Sequence, residues 1–238
     1  MSITVLYEDN HLLAAVKPPG ILSQEDETGD PDMLTLLKHY LKEKHNKPGN
    51  VFLGLVHRLD RTVGGVMVFA KTSKGASRLS ESVRNRQFGK TYVCVVHGAP
   101  AIPSTRLTHY IRKDNKLNQV TVYNKPTAEA KEAVLDYELA ATAGRYSLIA
   151  VRLHTGRPHQ IRAQMAHIGC PLVGDAKYGA RKTAGITDIA LWSTSVTAPH
   201  PVSKERMSFR SVPGGSSVWS WWTMEQLEAA SSMLIDKS

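Results

Sequence analysis

Short β-rich runs separated by turn-forming residues fill the middle of the chain. They lie at residues 91–96, 106–111, 119–123, 133–139 and 147–153. These runs carry many valine, isoleucine, threonine and tyrosine residues, which fit the pleated surface of a sheet. The pattern therefore predicts that this part of the chain is mostly sheet.

Further strands and four helices are predicted around this region. Four more apolar runs are strand candidates: residues 3–7, 12–16, 51–56 and 66–70. Apolar residues at helical spacing predict helices near residues 34–41, 73–86, 159–168 and 223–234. Ser73 is the predicted cap of the second helix, and Thr223 with Gln226 has capping-box spacing at the fourth. We therefore expect an α+β fold, that is, a mixed α/β domain.

The composition suits an intracellular protein that binds a polyanion. The 238 residues, 42% of them hydrophobic, suffice for a buried core, and without a repeat or a clear linker we expect one domain, 1–238. Lys and Arg number 30 against 21 Asp and Glu, a net charge of +9 that favours nucleic acid as the partner. Two cysteines cannot build a disulfide framework, and neither a signal peptide nor a membrane-spanning run is recognisable, so we expect a cytoplasmic protein.

A polar loop joins two of the strand candidates and contains one carboxylate between two arginines. Its sequence is His57-Arg58-Leu59-Asp60-Arg61. Flanking guanidinium groups favour the ionised form of Asp60, and an ionised carboxylate can act as a nucleophile. On spacing alone, a structural ion pair is the more frequent explanation for such an acid. Both interpretations stay open at this point.

The predicted helix at 159–168 begins with two basic side chains. The turn at 155–158 leads into it, with Pro158 expected at the first helical position. His159 and Arg162 are three residues apart and should project together from one face. With the free backbone N–H groups of a first turn, they suit a carboxylate or a phosphate.

Four sequence strings together resemble the catalytic domain of one enzyme family. They are YEDNHLLAAVKPPG, HRLDRTVGGVMVFAKT, GKTYVCVVHG and TGRPHQIRAQMAHIGCPLVGDAKYG. In this order they span most of residues 5–179, and the core motifs extend to residue 201. The chain is therefore similar to the RNA pseudouridine synthases of the large-ribosomal-subunit and tRNA type.

The resemblance implies a fold, a reaction and the residues that carry it out. The fold is a pseudouridine synthase domain with a central, largely antiparallel, bent sheet and surrounding helices. The reaction breaks the N1–C1′ bond of a uridine in rRNA or tRNA and rejoins the uracil through C5, without a cofactor or a metal. Asp60 is the expected nucleophile, Tyr92 packs on the target base, and Arg162 pairs with Asp60. The expected RNA contacts are Arg58, Arg61, Lys71, Arg157 and His159.

The chain also departs from the family pattern. Val63 and Gly64 stand where threonine and serine are common, and Trp192 replaces a usual histidine. The chain begins at the catalytic domain, so we expect no S4-type RNA-binding domain before it. We expect a monomer that selects its target with the surface of the catalytic domain.

Two other functions remain alternatives. A catalytically lapsed protein that still binds RNA would keep much of this pattern, although the three catalytic residue types are all present. A metal-dependent hydrolase would need a set of ligands, and the nearest histidine cluster, His154, His159 and His167, has no familiar zinc spacing. These motifs do not encode which uridine is modified.

Overall fold

The computed structural model describes residues 3–214 and 216–235, and the chain divides into two compact units. The first unit is formed by Met1–Gly89 and Ser195–Ser211, and the second by Lys90–Thr194 and Val212–Ser238. Each unit is therefore built from two separate stretches of chain. The expectation of one domain over residues 1–238 stays a prediction.

Strands make up most of the regular structure. In chain order they are β1 (Thr4–Glu8), β2 (Leu12–Lys17), β3 (Gly54–Leu55), β4 (Gly64–Ala70), β5 (Gly89–His97), β6 (Ser104–Asp114), β7 (Gln119–Tyr123), β8 (Lys131–Ala143), β9 (Tyr146–Leu153), β10 (Leu191–Pro199) and β11 (Arg206–Arg210). The α-helices are α1 (Met33–Lys44), α2 (Ser73–Arg84), α3 (Gln160–His167) and α4 (Met224–Ser232). The mixed α/β class predicted from the sequence is confirmed.

In the first unit the strands follow the order β1-β2-β4-β10, with β3 beside β4 and β11 beside β10. The pairs β1–β2, β2–β4, β3–β4 and β10–β11 are antiparallel. Leu79 of α2 lies in one buried apolar cluster with Leu12, Val66 and Phe209. This cluster fixes one face of β4, the strand that follows the loop containing Asp60.

The second unit has an antiparallel sheet in the order β5-β9-β8-β6-β7. Val93 of β5 lies in a buried cluster with Trp222 and with Leu227 of α4. Ala133 of β8 lies in a second cluster with Ala163 of α3. The strand registers place the two clusters on opposite faces of the sheet, so α3 and α4 cover different sides.

Most predicted strands and helices are confirmed, with a few corrections. The predicted strand at 51–56 is reduced to β3, and α2 is capped by Thr72 rather than by Ser73, since the Thr72 side chain accepts the Gly75 N–H. The predicted capping box at the start of α4 is present. The sequence pattern does not predict β10 or β11. β10 is mostly buried, yet four of its residues are serine or threonine, which hides it from a search for apolar runs.

Within residues 3–214 and 216–235, no helix combines the length and the apolar character needed to cross a membrane. The same residues contain no group of three or more His, Cys, Asp or Glu side chains placed to hold a metal ion. Cys94 and Cys170 are both buried free thiols.

The carboxylate of Glu8 connects β1 to the end of α1 and to the residue after β4. It lies 2.8 Å from Lys44, 2.7 Å from His45 and 2.7 Å from Lys71. Burial alone would raise the pKa of Glu8, but hydrogen bonds from these three side chains outweigh burial and lower the pKa from 4.5 to about 2. The ionised carboxylate therefore stabilises the first unit at neutral pH.

We expect Glu8→Gln to lower the free energy of unfolding at neutral pH by roughly 1–3 kcal/mol, because the cations lose a charged acceptor. The folded-state pKa lies below the unfolded one, so the stabilisation is present above about pH 4.5 and is lost as the pH falls toward about 2. Urea unfolding at about pH 7 and about pH 3 measures the difference. The exposed Glu25→Gln variant is the control, and an equal loss at both pH values would contradict the prediction.

Candidate active site

The loop between β3 and β4 separates its polar side chains from its apolar ones. Leu59 and Val63 are buried, whereas Arg58 and Arg61 are exposed and Asp60 is half-buried. The Val63 N–H donates to the Asp60 carbonyl at 3.0 Å, which closes a tight turn. Asp60 therefore opens a turn whose apolar neighbours are anchored in the first unit.

Two buried side chains hold the backbone of this loop. The Ser23 hydroxyl donates to the Leu59 carbonyl at 2.7 Å and accepts the Leu59 N–H at 3.1 Å. His57 Nε2 accepts the Val68 N–H of β4 at 3.0 Å, and its ring packs edge-on against Phe88. Through these contacts Ser23 and His57 support the loop.

The ammonium group of Lys17 is a third anchor. The side chain is fully buried. Its Nζ donates to the carbonyls of Pro18 at 3.0 Å, Ile21 at 2.6 Å and Arg61 at 2.9 Å. A buried ammonium is tolerated only where acceptors replace water, and here three carbonyl oxygens do so. The segment after β2 is thus fastened to the residue that follows Asp60.

We expect Lys17→Met, which keeps an unbranched apolar side chain, to lower the free energy of unfolding by about 2–4 kcal/mol, because the ammonium's hydrogen bonds to three carbonyls are lost. Urea unfolding measures this loss. Lys47→Met, a change at an exposed lysine, is the control and should have little effect. Undiminished stability of Lys17→Met would mean that the ammonium does not hold the loop.

Tyr92 lies on β5 in the second unit and is 6% exposed. It stands opposite Val151 of β9. Successive side chains of a strand point to opposite faces, and Val93 belongs to the buried cluster at Trp222. Tyr92 therefore lies on the other face of the sheet, the same face as Lys90 two residues earlier.

Lys90 is a candidate site residue that the sequence interpretation did not single out. Burial lowers its pKa from 10.5 to about 8. Its Nζ lies 3.8 Å from the place that a Cβ on Gly156 would occupy, in the turn before α3. The spacing of two residues in a strand is the signal that could have linked Lys90 to Tyr92. A half-buried lysine therefore lies beside the tyrosine on the same face of the sheet.

Arg162 is held in the first turn of α3 by an acid that the motif interpretation did not assign. Its Nε and Nη2 donate to Asp175 Oδ2 at 2.6 Å and Oδ1 at 2.9 Å, and both side chains are buried. The guanidinium carbon lies 5.2 Å from the ring centroid of Tyr178. The carboxylate fork and the ring together fix the guanidinium plane. The pairing of Arg162 with Asp60 stays a prediction.

His159 caps α3 in a left-handed backbone conformation with φ 48°, which is uncommon for a residue other than glycine. Its Nδ1 lies 2.7 Å from the Tyr178 hydroxyl. Gln160 stiffens the preceding turn, because its Oε1 accepts the Arg157 N–H at 3.0 Å. Since His159 is the cap, Pro158 lies before the helix, and the prediction that it occupies the first helical position is wrong.

The side chains predicted to contact RNA differ in their other interactions. Arg58 is exposed, and within the part of the chain that the structure describes its side chain has no hydrogen-bond or ion-pair partner. Arg61 is also exposed but lies 2.8 Å from Asp30. Arg157 donates from Nε to the Glu132 carbonyl at 2.8 Å. Arg58 is therefore the most available cation beside Asp60.

The placement of Lys71 argues against the RNA contact predicted for it. Its side chain is only 10% exposed and forms an ion pair with Glu8 at 2.7 Å. Its ammonium also donates to the Asp9 carbonyl. These contacts hold the turn between β1 and β2, so we leave Lys71 out of the proposed RNA contacts.

A loop-borne aspartate, a strand tyrosine and a buried helix arginine on a mixed α/β frame are the features expected of a pseudouridine synthase. Comparison with known proteins agrees with this class. The family model described as RNA pseudouridylate synthase matches residues 11–167, which is more than half of the chain. The chain belongs to the RNA pseudouridylate synthase family.

Individual relatives share about a third of their aligned residues with this chain. Ribosomal large subunit pseudouridine synthase C of Buchnera aphidicola is 31% identical over 211 residues, which are 85% of this chain and 64% of that protein. Ribosomal large subunit pseudouridine synthase D of Xanthomonas campestris is 33% identical over 216 residues, 85% of this chain and 63% of that protein. The chain thus spans less than two thirds of the length of these curated relatives.

A solved structure shows the same fold. The structure of Human RNA Pseudouridylate Synthase Domain Containing 4 matches with a TM-score of 0.76 at 20% identity. The match covers 94% of this chain and 93% of that one. The pseudouridine synthase fold implied by the four sequence strings is therefore confirmed.

Proposed function

We propose that this protein isomerises specific uridines to pseudouridine in structured RNA. The N1–C1′ bond breaks, the uracil turns while it stays bound, and C5 bonds to C1′. The C5 hydrogen leaves to solvent while N1 gains one, so the product has the composition of the substrate. Beside family membership, one observation carries the proposal: an anchored turn presents the Asp60 carboxylate between two exposed arginines.

Asp60 supplies the nucleophile in this proposal. A carboxylate is nucleophilic only when ionised, and Asp60 stays half-exposed beside Arg58 and Arg61 instead of being sealed in the apolar interior. It can attack C1′, add to the uracil at C6, or assist elimination at the sugar. All three routes need the same charged group beside the target nucleotide. The contacts from Ser23 and Lys17 keep the loop backbone in place for this step.

Tyr92 and Arg162 complete the proposed catalytic set. The Tyr92 ring offers an apolar surface on which the detached uracil packs, and its hydroxyl can move a proton at the sugar or at C5. Arg162 is the cation proposed to pair with the Asp60 carboxylate. Its fork to Asp175 holds the guanidinium group in one orientation before the RNA binds.

Charge and relatives together support RNA as the partner. The net charge of +9 favours a polyanion, and the named relatives are synthases of the large ribosomal subunit. We therefore place ribosomal RNA first and transfer RNA second, and expect a cytoplasmic monomer. A uridine inside a duplex hides its glycosidic bond, so the enzyme extrudes the nucleotide or chooses loops and bulges.

The decisive test is a map of pseudouridines in total RNA from cells that lack this protein. Re-expression of the wild-type chain should restore at least one missing site, and Asp60→Asn should restore none because a neutral amide cannot act as the nucleophile. Asp188→Asn, the same change at an exposed position, is the matched control and should restore the site fully. Restoration by Asp60→Asn would exclude Asp60 as the nucleophile. A lapsed enzyme predicts no missing site in the deletion cells.

We expect Arg58→Ala to weaken RNA binding by about threefold to thirtyfold, because an exposed cation beside the proposed site is removed. If Arg58 contacts a phosphate, the slope of log affinity against log salt concentration should become shallower by about 0.7–0.9. Fluorescence anisotropy with a labelled RNA at several salt concentrations measures both quantities. Arg210→Ala, a change at an exposed arginine of β11, is the control. Wild-type RNA affinity that does not change with salt would contradict the electrostatic part of the proposal.

A further inference from the structure

Tyr178 lies at the centre of the contacts around the start of α3. It ends a short 3₁₀ helix at Ala176–Tyr178, and its side chain is half-buried. Its hydroxyl accepts the Val120 N–H of β7 at 3.0 Å and lies 2.7 Å from His159 Nδ1. Its ring packs against the Arg162 guanidinium, with the guanidinium carbon 5.2 Å from the ring centroid. One side chain therefore touches both basic residues of the first turn.

The hydroxyl contacts constrain the imidazole of His159. A phenol has one proton to donate, and its oxygen already accepts the Val120 N–H. The same oxygen lies 2.7 Å from His159 Nδ1, so the hydroxyl and the imidazole share one hydrogen bond whose donor depends on the tautomer of the ring. The His159 side chain makes no capping bond to its own helix. The Tyr178 hydroxyl therefore restrains the orientation of the His159 ring.

The ring contact complements the fork from Asp175. Asp175 accepts from Nε and Nη2 along one edge of the Arg162 guanidinium, at 2.6 and 2.9 Å. An edge-on fork leaves the group free to tilt about the line of the two bonds, and an aromatic ring against its face removes that freedom. Because Tyr178 follows Asp175 by three residues, one short turn of chain provides both restraints.

We propose that Tyr178 is a positioning residue, which acts on RNA binding through its hydroxyl and His159 and on catalysis through its ring and Arg162. This inference rests on the proposed function, which pairs Arg162 with Asp60, and on the RNA contact that the sequence predicts for His159. The two effects can be separated chemically. Phenylalanine keeps the ring and loses the hydroxyl, whereas leucine loses both.

Release of tritium from C5-labelled uridine in unmodified transcripts of large-subunit ribosomal RNA counts turnovers. For Tyr178→Phe we expect the KM for RNA to rise about threefold to tenfold, as for the loss of one hydrogen bond, with kcat within about twofold of wild type. For Tyr178→Leu we expect kcat to fall by at least about tenfold as well, because Arg162 loses its ring contact. Tyr123→Phe on β7 is the matched control and should change neither constant.

A double-mutant cycle with His159→Ala isolates the hydroxyl effect. If Tyr178 acts through His159, then Tyr178→Phe raises KM in the wild-type background and has no further effect in the His159→Ala background. Equal increases in both backgrounds, or a wild-type KM for Tyr178→Phe, would overturn the inference. Thermal unfolding checks that each variant folds. If Tyr178→Leu does not fold, Tyr178→Phe and the cycle decide the question alone.

Failure of this inference can be told apart from failure of the proposed function. A wild-type protein that releases no tritium from transcripts of large-subunit ribosomal RNA or of transfer RNA would refute the isomerase activity. The affinity of the Tyr178→Phe and His159→Ala variants for the same transcripts would then still test the coupling of the two residues in RNA binding. Normal wild-type turnover together with an unchanged KM for Tyr178→Phe would refute the positioning role alone.

Discussion

The loop that carries Asp60 depends on a charge buried beneath it. Lys17 is fully buried, and its ammonium donates to carbonyls of its own segment and to the Arg61 carbonyl. Without those acceptors the ammonium would be too costly to bury, and without the ammonium each carbonyl would lose one hydrogen-bond donor. The buried ammonium and the carbonyl oxygens therefore depend on each other. The turn that begins at Asp60 takes its conformation from this mutual requirement and from the buried Leu59 and Val63 on its two sides.

The second unit also buries a cation, and different groups replace the water around it. Arg162 is buried, so the carboxylate of Asp175 and the ring of Tyr178 take the place of water around the guanidinium group. A cation fixed before the substrate arrives needs little reorganisation when charge develops next to it. The cation proposed to meet RNA phosphates has the opposite character, because Arg58 is exposed and can follow a flexible polyanion.

Local features of the chain were predictable, and contacts between distant residues were not. β7 and the capping box of α4 follow from side-chain period and from cap residues close in sequence, and the sequence predicts both correctly. The ion pair of Lys71 with Glu8 joins positions 63 residues apart, and no local pattern reveals it. The sequence therefore indicates Lys71 only as a candidate RNA contact, and the folded chain shows that its ammonium supports a turn.

The candidate site likewise contains residues that the sequence predicts and residues that only the structure reveals. Motif order singles out Asp60, Tyr92 and Arg162, because those residue types stand at characteristic places in the four strings. Asp175 and Tyr178 lie within the last of these strings, yet only the folded chain shows that both meet Arg162. Motif order therefore does not assign a role to Asp175 and Tyr178, the residues that hold the proposed catalytic Arg162 in place.

If Asp60 is the nucleophile and is not an RNA contact, its substitution should abolish the reaction and leave the RNA affinity nearly unchanged. Single-turnover release of tritium from C5-labelled RNA, with enzyme in excess and RNA affinity measured in parallel, detects this separation of the reaction from binding directly. We expect Asp60→Asn to bind the RNA within about threefold of the wild-type affinity and to release no tritium above background. Tritium release by Asp60→Asn at a rate comparable to that of the wild-type protein would contradict the assignment of Asp60 as the nucleophile.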